Sequence, residues 1–140
     1  MASRQFATFA LDGHDFGIEV GSVQEVLRHS VRTPVPLAPG AIGGLINLRG
    51  QVVTAVDLRQ RLGLPAFPPG TDPMNVVVRV DGEAISLLVD SIGDVVHVDD
   101  DLFELPPDTL GGPGRELIDG AYKLEGRLLL ALDVDRVVAV

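Results

Sequence analysis

A hairpin pattern occurs twice in this chain, and it constrains the fold more than any other feature of the sequence. Residues 43–59 hold two apolar runs, 45–48 and 52–56, on either side of an Arg-Gly pair. Residues 120–133 repeat this pattern 76 positions later. The positions shared by both copies are Gly44, Leu48, Gly50, Ala55 and Asp57, which correspond to Gly120, Leu124, Gly126, Ala131 and Asp133.

A second pair of similar segments lies upstream of the two hairpins. Residues 12–26 resemble residues 81–95, 69 positions later, and both begin with Asp-Gly, which favours a tight hairpin turn. Internal repeats of this kind determine an architecture, and these indicate two similar all-β half-units. We expect one domain over residues 1–140, with the boundary between its halves in the Pro-rich stretch near residues 64–74. Whether terminal strands are exchanged between the halves is left open.

The ends of each hairpin unit carry residues with definite local roles. Gly50 is free to take the positive φ of a short β-turn. Asp57 and Asp133 follow the second apolar run of each copy, where the N-cap of a short helix belongs. Gly63 stands where such a helix ends, so we predict a short helix after each hairpin, the last ending near Val138.

The two copies differ at the hairpin tip. Asn47 and Arg49 in the first half become Lys123 and Glu125 in the second, so the repeated fold does not require either of the first-half residues. An Arg at a strand end offers a planar fork of donors that matches carboxylates and carbonyls. The alternative is an ordinary solvated turn residue, but the comparison between halves favours a recognition role for Arg49.

Composition fits short strands joined by tight turns. The chain has 140 residues, 16 Gly and 10 Pro, and only 4% of its residues are aromatic. There are no cysteines, which excludes disulfides and thiolate metal sites. The net charge of −9 argues against nucleic acid and anionic membranes as partners. No apolar run approaches the length of a membrane span, and the N-terminus does not have the pattern of a signal peptide. We expect a cytoplasmic protein without direct membrane insertion.

Catalytic and cofactor motifs are not evident. The histidines at 14, 29 and 97 fall on different predicted elements, so a metal or catalytic histidine site is disfavoured. No phosphate-binding loop and no nucleophile elbow occurs. The sequence therefore predicts a protein that is not an enzyme and uses no cofactor and no metal.

Residues 42–59, Ile-Gly-Gly-Leu-Ile-Asn-Leu-Arg-Gly-Gln-Val-Val-Thr-Ala-Val-Asp-Leu-Arg, resemble the CheW family of chemotaxis adaptors. The resemblance extends over residues 23–27, the Pro-rich connector 34–39, and residues 88–92 and 128–133, so it covers nearly the whole chain. It implies two SH3-like, five-stranded β-barrels packed together, with short helices. It also implies a non-catalytic adaptor that couples a CheA-type histidine kinase to transmembrane chemoreceptors in signalling arrays.

The resemblance further assigns contact residues. In the family, the cytoplasmic hairpin tip of the receptor docks in a groove between the barrels, near the Arg of Asn-Leu-Arg-Gly. Carried over to this chain, the receptor-contact positions are Val23, Glu25, Gly44, Asn47 and Arg49. The kinase contact would be an apolar barrel surface, whose residues the sequence does not assign.

Two alternatives stay open at this point. One is an adaptor of the same fold for another chemosensory pathway, such as surface motility. The other is a small-ligand-binding β-barrel, which the uninterrupted apolar runs disfavour because they predict a packed interior.

Overall fold

The computed structural model describes residues 3–28, 32–33, 42–105 and 113–139. These residues form twelve strands, two short α-helices and three 3₁₀ turns. The Pro-rich connector 34–39 lies outside the described residues. The strands are β1 (Ser3–Leu11), β2 (His14–Glu19), β3 (Val23–Leu27), β4 (Arg32–Thr33), β5 (Ile42–Leu48), β6 (Gln51–Asp57), β7 (Met74–Val80), β8 (Glu83–Val89), β9 (Ser91–Asp99), β10 (Phe103–Glu104), β11 (Ile118–Leu124) and β12 (Arg127–Leu132).

The strands form two six-stranded sheets, which confirms the all-β fold. Sheet 1 has the order β10-β11-β12-β2-β1-β9, and sheet 2 has the order β3-β7-β8-β6-β5-β4. Each sheet contains five longer strands, as expected, and a sixth strand of only two residues at one edge, β10 or β4. Such short strands arise from pairing with a neighbour and leave no pattern in the sequence.

Both sheets have the same internal arrangement. In each sheet two hairpins lie side by side, and the two strands that meet between them are parallel. These strands are β12 and β2 in sheet 1, and β6 and β8 in sheet 2. The repeated hairpins β5–β6 and β11–β12 also share a register shift, between Ile42 and Gly44 in one and between Ile118 and Gly120 in the other. The sequence repeat therefore corresponds to a structural repeat, down to a β-bulge at the same position.

The chain crosses between the sheets twice. After the β1–β2 hairpin of sheet 1, a 3₁₀ turn (Val20–Ser22) leads into β3, which pairs with β7 of sheet 2. After the β7–β8 hairpin of sheet 2, β9 pairs with β1 of sheet 1. The Pro-rich stretch near residues 64–74 connects two elements of sheet 2, because β6 and β7 both belong to it. The division of the chain into half-units at that stretch stays a prediction.

Both predicted helices are present at the end of their hairpins. Helix α1 (Leu58–Arg61) follows β6, and helix α2 (Val134–Val138) follows β12. Asp57 accepts a hydrogen bond from the backbone N–H of Gln60 at 3.0 Å, and Asp133 accepts one from that of Arg136 at 3.3 Å. The two aspartates are N-caps, as predicted.

One apolar core is shared by the sheets. It joins Phe9 and Phe16 of sheet 1 to Val76 and Leu87 of sheet 2 and to Leu58 of α1. Burying a side chain of this size contributes about 1.5–3 kcal/mol, so the shared core is a main source of stability. A smaller cluster lies inside each sheet. In sheet 1 the rings of Phe6 on β1 and Tyr122 on β11 are 5.3 Å apart, because the sheet curls and brings non-neighbouring strands together.

Candidate functional site

The tip of the β5–β6 hairpin is a two-residue turn formed by Arg49 and Gly50. Gly50 has φ +84°, as predicted, and Arg49 has φ +52°. The left-handed region costs a non-glycine residue about 1–2 kcal/mol per residue. Among the described non-glycine residues, only Asp12, Arg49 and Asp81 have positive φ. Aspartate is typical of such turns, whereas arginine is not. We therefore expect that interactions of Arg49 outside the turn account for its presence at the tip.

Asn47 stabilises this turn. Its side-chain oxygen accepts a hydrogen bond from the backbone N–H of Gly50 at 2.8 Å. In the first half the amide of Asn47 therefore contributes to the hairpin tip, a role that the comparison of the two halves does not indicate. Lys123, at the equivalent position, cannot accept such a bond, and Glu125 does not have the positive φ of Arg49. The second copy thus forms its turn in another way.

Arg49 makes a bidentate ion pair with Glu25. Its Nη1 donates to Oε2 at 2.7 Å, and its Nη2 donates to Oε1 at 2.8 Å. The hydrogen bonds to Glu25, and then the charge of Glu25, raise the pKa of the Arg49 guanidinium above its ordinary value. The Arg49 side chain is 72% exposed, whereas that of Glu25 is only 17% exposed. Glu25 therefore fixes the direction of a guanidinium that still faces solvent.

Strand β3 positions Glu25. Val23 and Glu25 are half-buried, and Gln24 between them is the additional residue of a β-bulge against β7. Gln24 points away and accepts a hydrogen bond from Arg79 at 2.8 Å. Val23 packs against the shared core, which anchors the strand next to Glu25. Since β3 is one edge of sheet 2 and β5 is next to the other, the ion pair also bridges the two sides of the curled sheet.

Gly44 lies at the opposite end of β5 from Arg49, about 17 Å along the strand. It has φ +131°, and a Cβ atom there would lie 2.8 Å from the carbonyl oxygen of Thr33. Its observed role is to let β4 approach β5. The structure thus brings Glu25, Asn47 and Arg49 together, places Val23 two residues from Glu25, and leaves Gly44 apart from them.

A second bidentate ion pair, between Arg59 and Asp90, is not evident in the sequence. Arg59 Nε donates to Asp90 Oδ1 at 2.7 Å, and Nη2 donates to Oδ2 at 2.5 Å. Arg59 also donates to the carbonyl of Pro65 at 3.0 Å and lies 5.1 Å from the centre of the Phe67 ring. The hydrogen bonds from Arg59 lower the pKa of Asp90. The one available sequence clue is that Arg59 replaces an acidic residue, Asp135, of the second copy.

No group of three or more His, Cys, Asp or Glu side chains among the described residues could hold a metal ion. None of their helices is long and apolar enough to cross a membrane.

The chain matches the CheW-like domain family over residues 5–140. It is 31% identical over 134 residues to the chemotaxis protein CheW of Rhizobium meliloti (strain 1021), covering 96% of this chain and 86% of that protein. It is 29% identical over 130 residues to the chemotaxis protein CheW of Bacillus subtilis (strain 168), covering 93% of this chain and 83% of that protein.

A solved structure has the same fold. The crystal structure of the scaffolding protein TtCheW from Thermoanaerobacter tengcongensis superposes with a TM-score of 0.87, at 24% identity, over 99% of this chain and 94% of that chain. At this identity the similarity concerns the fold, while the match over residues 5–140 and the relative at 31% identity concern the family. The chain therefore belongs to the CheW-like family of chemotaxis adaptor proteins.

Proposed function

We propose that this adaptor couples a CheA-type histidine kinase to chemoreceptors, and that the tip of the β5–β6 hairpin binds the cytoplasmic hairpin tip of the receptor. In this proposal the protein acts by binding alone, without catalysis, cofactor or nucleic acid. It works in the cytoplasm and is recruited to membrane-associated receptor arrays through its partners. Membership of the CheW-like family supports the choice of this kinase and these receptors as the two partners.

The observation that carries the site is the orientation of Arg49. Its backbone is strained, its guanidinium is held by two bonds to Glu25, and yet most of its side chain faces solvent. A guanidinium has five N–H donors, so donors remain for a partner after Glu25 has taken two. A group that is already held in place loses little side-chain entropy on binding. These properties suit a recognition residue better than an ordinary turn residue.

An exposed apolar side chain lies close to this turn in the sequence. Val52 is directly opposite Asn47 in the β5–β6 hairpin, and it is 66% exposed. Arginine is enriched among the residues that contribute most to protein interfaces, and the contacts around such residues exclude water. We propose Arg49, Asn47 and Val52 as the direct contact surface. Glu25 would orient Arg49 and Val23 would support β3. Gly44, at the far end of β5, would contribute through the position of β4.

The test is a charge swap between Glu25 and Arg49. Arg49→Glu alone places two carboxylates together and removes the forked donor, so receptor binding should weaken by about tenfold or more. Adding Glu25→Arg restores an ion pair at this place, but the positive charge is now on residue 25 and the negative charge on residue 49. The double variant should regain stability without regaining receptor binding. The measurements are binding isotherms with a receptor hairpin-tip fragment and with the kinase regulatory domain, together with thermal unfolding.

The second copy of the hairpin supplies the control. Glu125→Arg makes the opposite change at the matched position, and receptor binding should stay unchanged. Kinase binding should survive in all three variants. If the double swap restored receptor binding along with stability, the ion pair would have only a structural role and the proposed recognition site would be wrong.

A further inference from the structure

Arg79, near the end of β7, is a second arginine at the end of sheet 2 where Arg49 lies. Strands β6 and β8 are parallel neighbours, so the turns that precede them lie at the same end of the sheet. These turns are 49–50, at the proposed receptor-binding tip, and 81–82, at the tip of the β7–β8 hairpin. Arg79 is exposed and lies two residues before the second turn.

Two neutral acceptors hold the guanidinium of Arg79. Its Nη1 donates to the carbonyl oxygen of Gly82 at 2.8 Å, and its Nη2 donates to the side-chain oxygen of Gln24 at 2.8 Å. In the described part of the chain Arg79 forms no ion pair, although Asp81 and Glu83, in and beside the turn, are exposed acidic residues. A guanidinium has five N–H donors, so this oriented cation has donors and charge available to a partner.

The turn of the β7–β8 hairpin forms equally well without an arginine. The Asp-Gly turn of the β1–β2 hairpin in sheet 1 has φ +50° and +80° at residues 12–13, against +52° and +82° at residues 81–82. The residue that corresponds to Arg79, 69 positions earlier, is Ala10. Because the same turn forms with alanine at this position, we infer that the bond to Gly82 serves to hold the arginine rather than the turn.

The bulge in β3 also forms without this contact. Gln24 is the additional residue of that bulge, and β9 has a bulge at the matching place of sheet 1, where it pairs with β1. The residue that corresponds to Gln24 there is Gly93, which has no side chain to accept a bond. The repeated fold therefore requires neither Arg79 nor Gln24, just as it does not require Arg49.

Arg79 lies close to the ion pair of Arg49. Glu25, which binds Arg49, is paired with Val77 on β7, and Arg79 is two residues further along that strand. Residues two apart in a strand are about 6.6 Å from each other and lie on the same face. Gln24, which binds Arg79, is the neighbour of Glu25 in β3. Adjacent residues of β3 thus hold both arginines.

We propose that Arg79 is a second contact residue for the receptor hairpin tip, and that Arg49 and Arg79 each bind a carboxylate of that tip. This inference rests on the proposed function and adds the chemistry of the partner, which is a segment with two acidic side chains on one surface. Guanidinium groups form charge-assisted and often bidentate hydrogen bonds with carboxylates. Since the net charge of −9 repels an acidic segment elsewhere, two oriented cations at one end of sheet 2 define where it docks.

Binding of a receptor hairpin-tip fragment to the intact protein tests this contact. Arg79→Gln keeps most of the side chain but removes its charge, and we expect the Kd to rise about tenfold. The affinity of this variant should also fall less steeply with added salt, because one charged contact fewer is screened. Arg79→Lys keeps the charge without the planar fork and should give a smaller loss. Urea unfolding should be unchanged in both variants, because the bonds of Arg79 are on the surface.

Changes in the fragment identify the two carboxylates. Each acidic residue of the fragment is neutralised in turn and combined with Arg79→Gln or with Arg49→Gln. The carboxylate that binds Arg79 should cost affinity with the unmodified protein but little more with Arg79→Gln, because the contact is already lost. A different carboxylate should show this behaviour with Arg49→Gln.

Arg127→Gln is the matched control. It removes one positive charge at the start of β12, the corresponding end of sheet 1, and should leave receptor affinity unchanged. If Arg79→Gln binds as well as the unmodified protein while Arg49→Glu does not, this inference is wrong and the proposed receptor site stands. If neither change weakens binding, both are wrong. Equal losses in Arg79→Gln and Arg127→Gln, or a loss of stability that accounts for the loss of binding, would also overturn the inference.

Discussion

At the tip of the β5–β6 hairpin, neighbouring side chains have different tasks. Asn47 bonds the backbone N–H of Gly50 and holds the turn, while Arg49 bonds Glu25 and faces solvent. The turn would be less strained with Asn or Gly at position 49, because both tolerate a positive φ better. Because Asn47 stabilises a turn in which the backbone of Arg49 is strained, we infer that the turn serves to hold the guanidinium of Arg49 in position.

Asn47→Ala should destabilise the protein by about 1 kcal/mol, because it removes the acceptor for the Gly50 N–H. Asn47→Asp is the matched control, since its carboxylate retains an acceptor at the same position. The free energy of unfolding in urea measures both. Equal stability of Asn47→Ala and the unmodified protein would show that the turn does not depend on this bond.

Part of this site can be predicted from the sequence. Comparison of the two halves selects Asn47 and Arg49, because a repeated fold provides its own reference. The partner of Arg49 could not be derived from residue properties, since Glu25 is 24 positions away and approaches only when β3 pairs with β7 and sheet 2 curls. The bond from Gly50 to Asn47 is local, and the Asn-x-x-Gly spacing is the sequence signal that indicates it.

At the scale of single elements, the hairpins and helices follow from local chemistry. Alternating apolar residues, Asp-Gly turns and capping aspartates act within a few positions, so strands and short helices could be predicted with ends close to those observed. The sequence of residues 22–27 is too short to distinguish a helical turn from a strand, and in the structure it is the end of a 3₁₀ turn followed by β3. The two-residue strands β4 and β10 depend on their neighbours and could not be predicted.

The capping aspartates lead to an element-scale prediction. Asp57→Ala and Asp133→Ala should each cost about 0.5–2 kcal/mol of stability. The cost should be greater for Asp57, whose bond of 3.0 Å is shorter than the 3.3 Å bond of Asp133. Asp→Asn at each position keeps the acceptor and should cost less. Chemical unfolding of the four variants measures this, with binding to the receptor fragment unchanged. Loss of binding without loss of stability in Asp57→Ala would contradict the capping role.

At the scale of the whole molecule, the Arg59–Asp90 ion pair lies where the chain passes from sheet 2 to sheet 1. Asp90 stands between β8 of sheet 2 and β9 of sheet 1, and its backbone N–H donates to Ala10 on β1 at 3.1 Å. Its side chain accepts from the backbone N–H of Asp12 at 2.9 Å as well as from Arg59. This arrangement could not be predicted because it depends on which sheet β3 and β9 join, and that choice depends on contacts between distant residues.

The Arg59–Asp90 pair should make stability depend on pH in a defined direction. The pKa of Asp90 is below its ordinary value of 3.8, so the folded protein binds this proton less tightly than the unfolded chain does. The pair therefore contributes stability above pH 3.8, and this contribution is lost as the pH falls towards the lower folded-state pKa. At pH 7 we expect Asp90→Asn to lose about 3 kcal/mol, because the mostly buried guanidinium of Arg59 loses its charged partner.

Asp119→Asn is the control with the opposite sign. Burial raises the pKa of Asp119, so its ionisation costs stability as the pH rises through that pKa, and the Asn variant should be at least as stable as the unmodified protein at pH 7. Urea unfolding from pH 7 to about pH 3 measures both variants against the unmodified protein. At the acidic end of this range, the loss of stability in Asp90→Asn and the gain of stability in Asp119→Asn, each relative to the unmodified protein, should both become smaller. If the Asp90→Asn difference stayed constant over this range, the charge of Asp90 would not be what joins the two sheets.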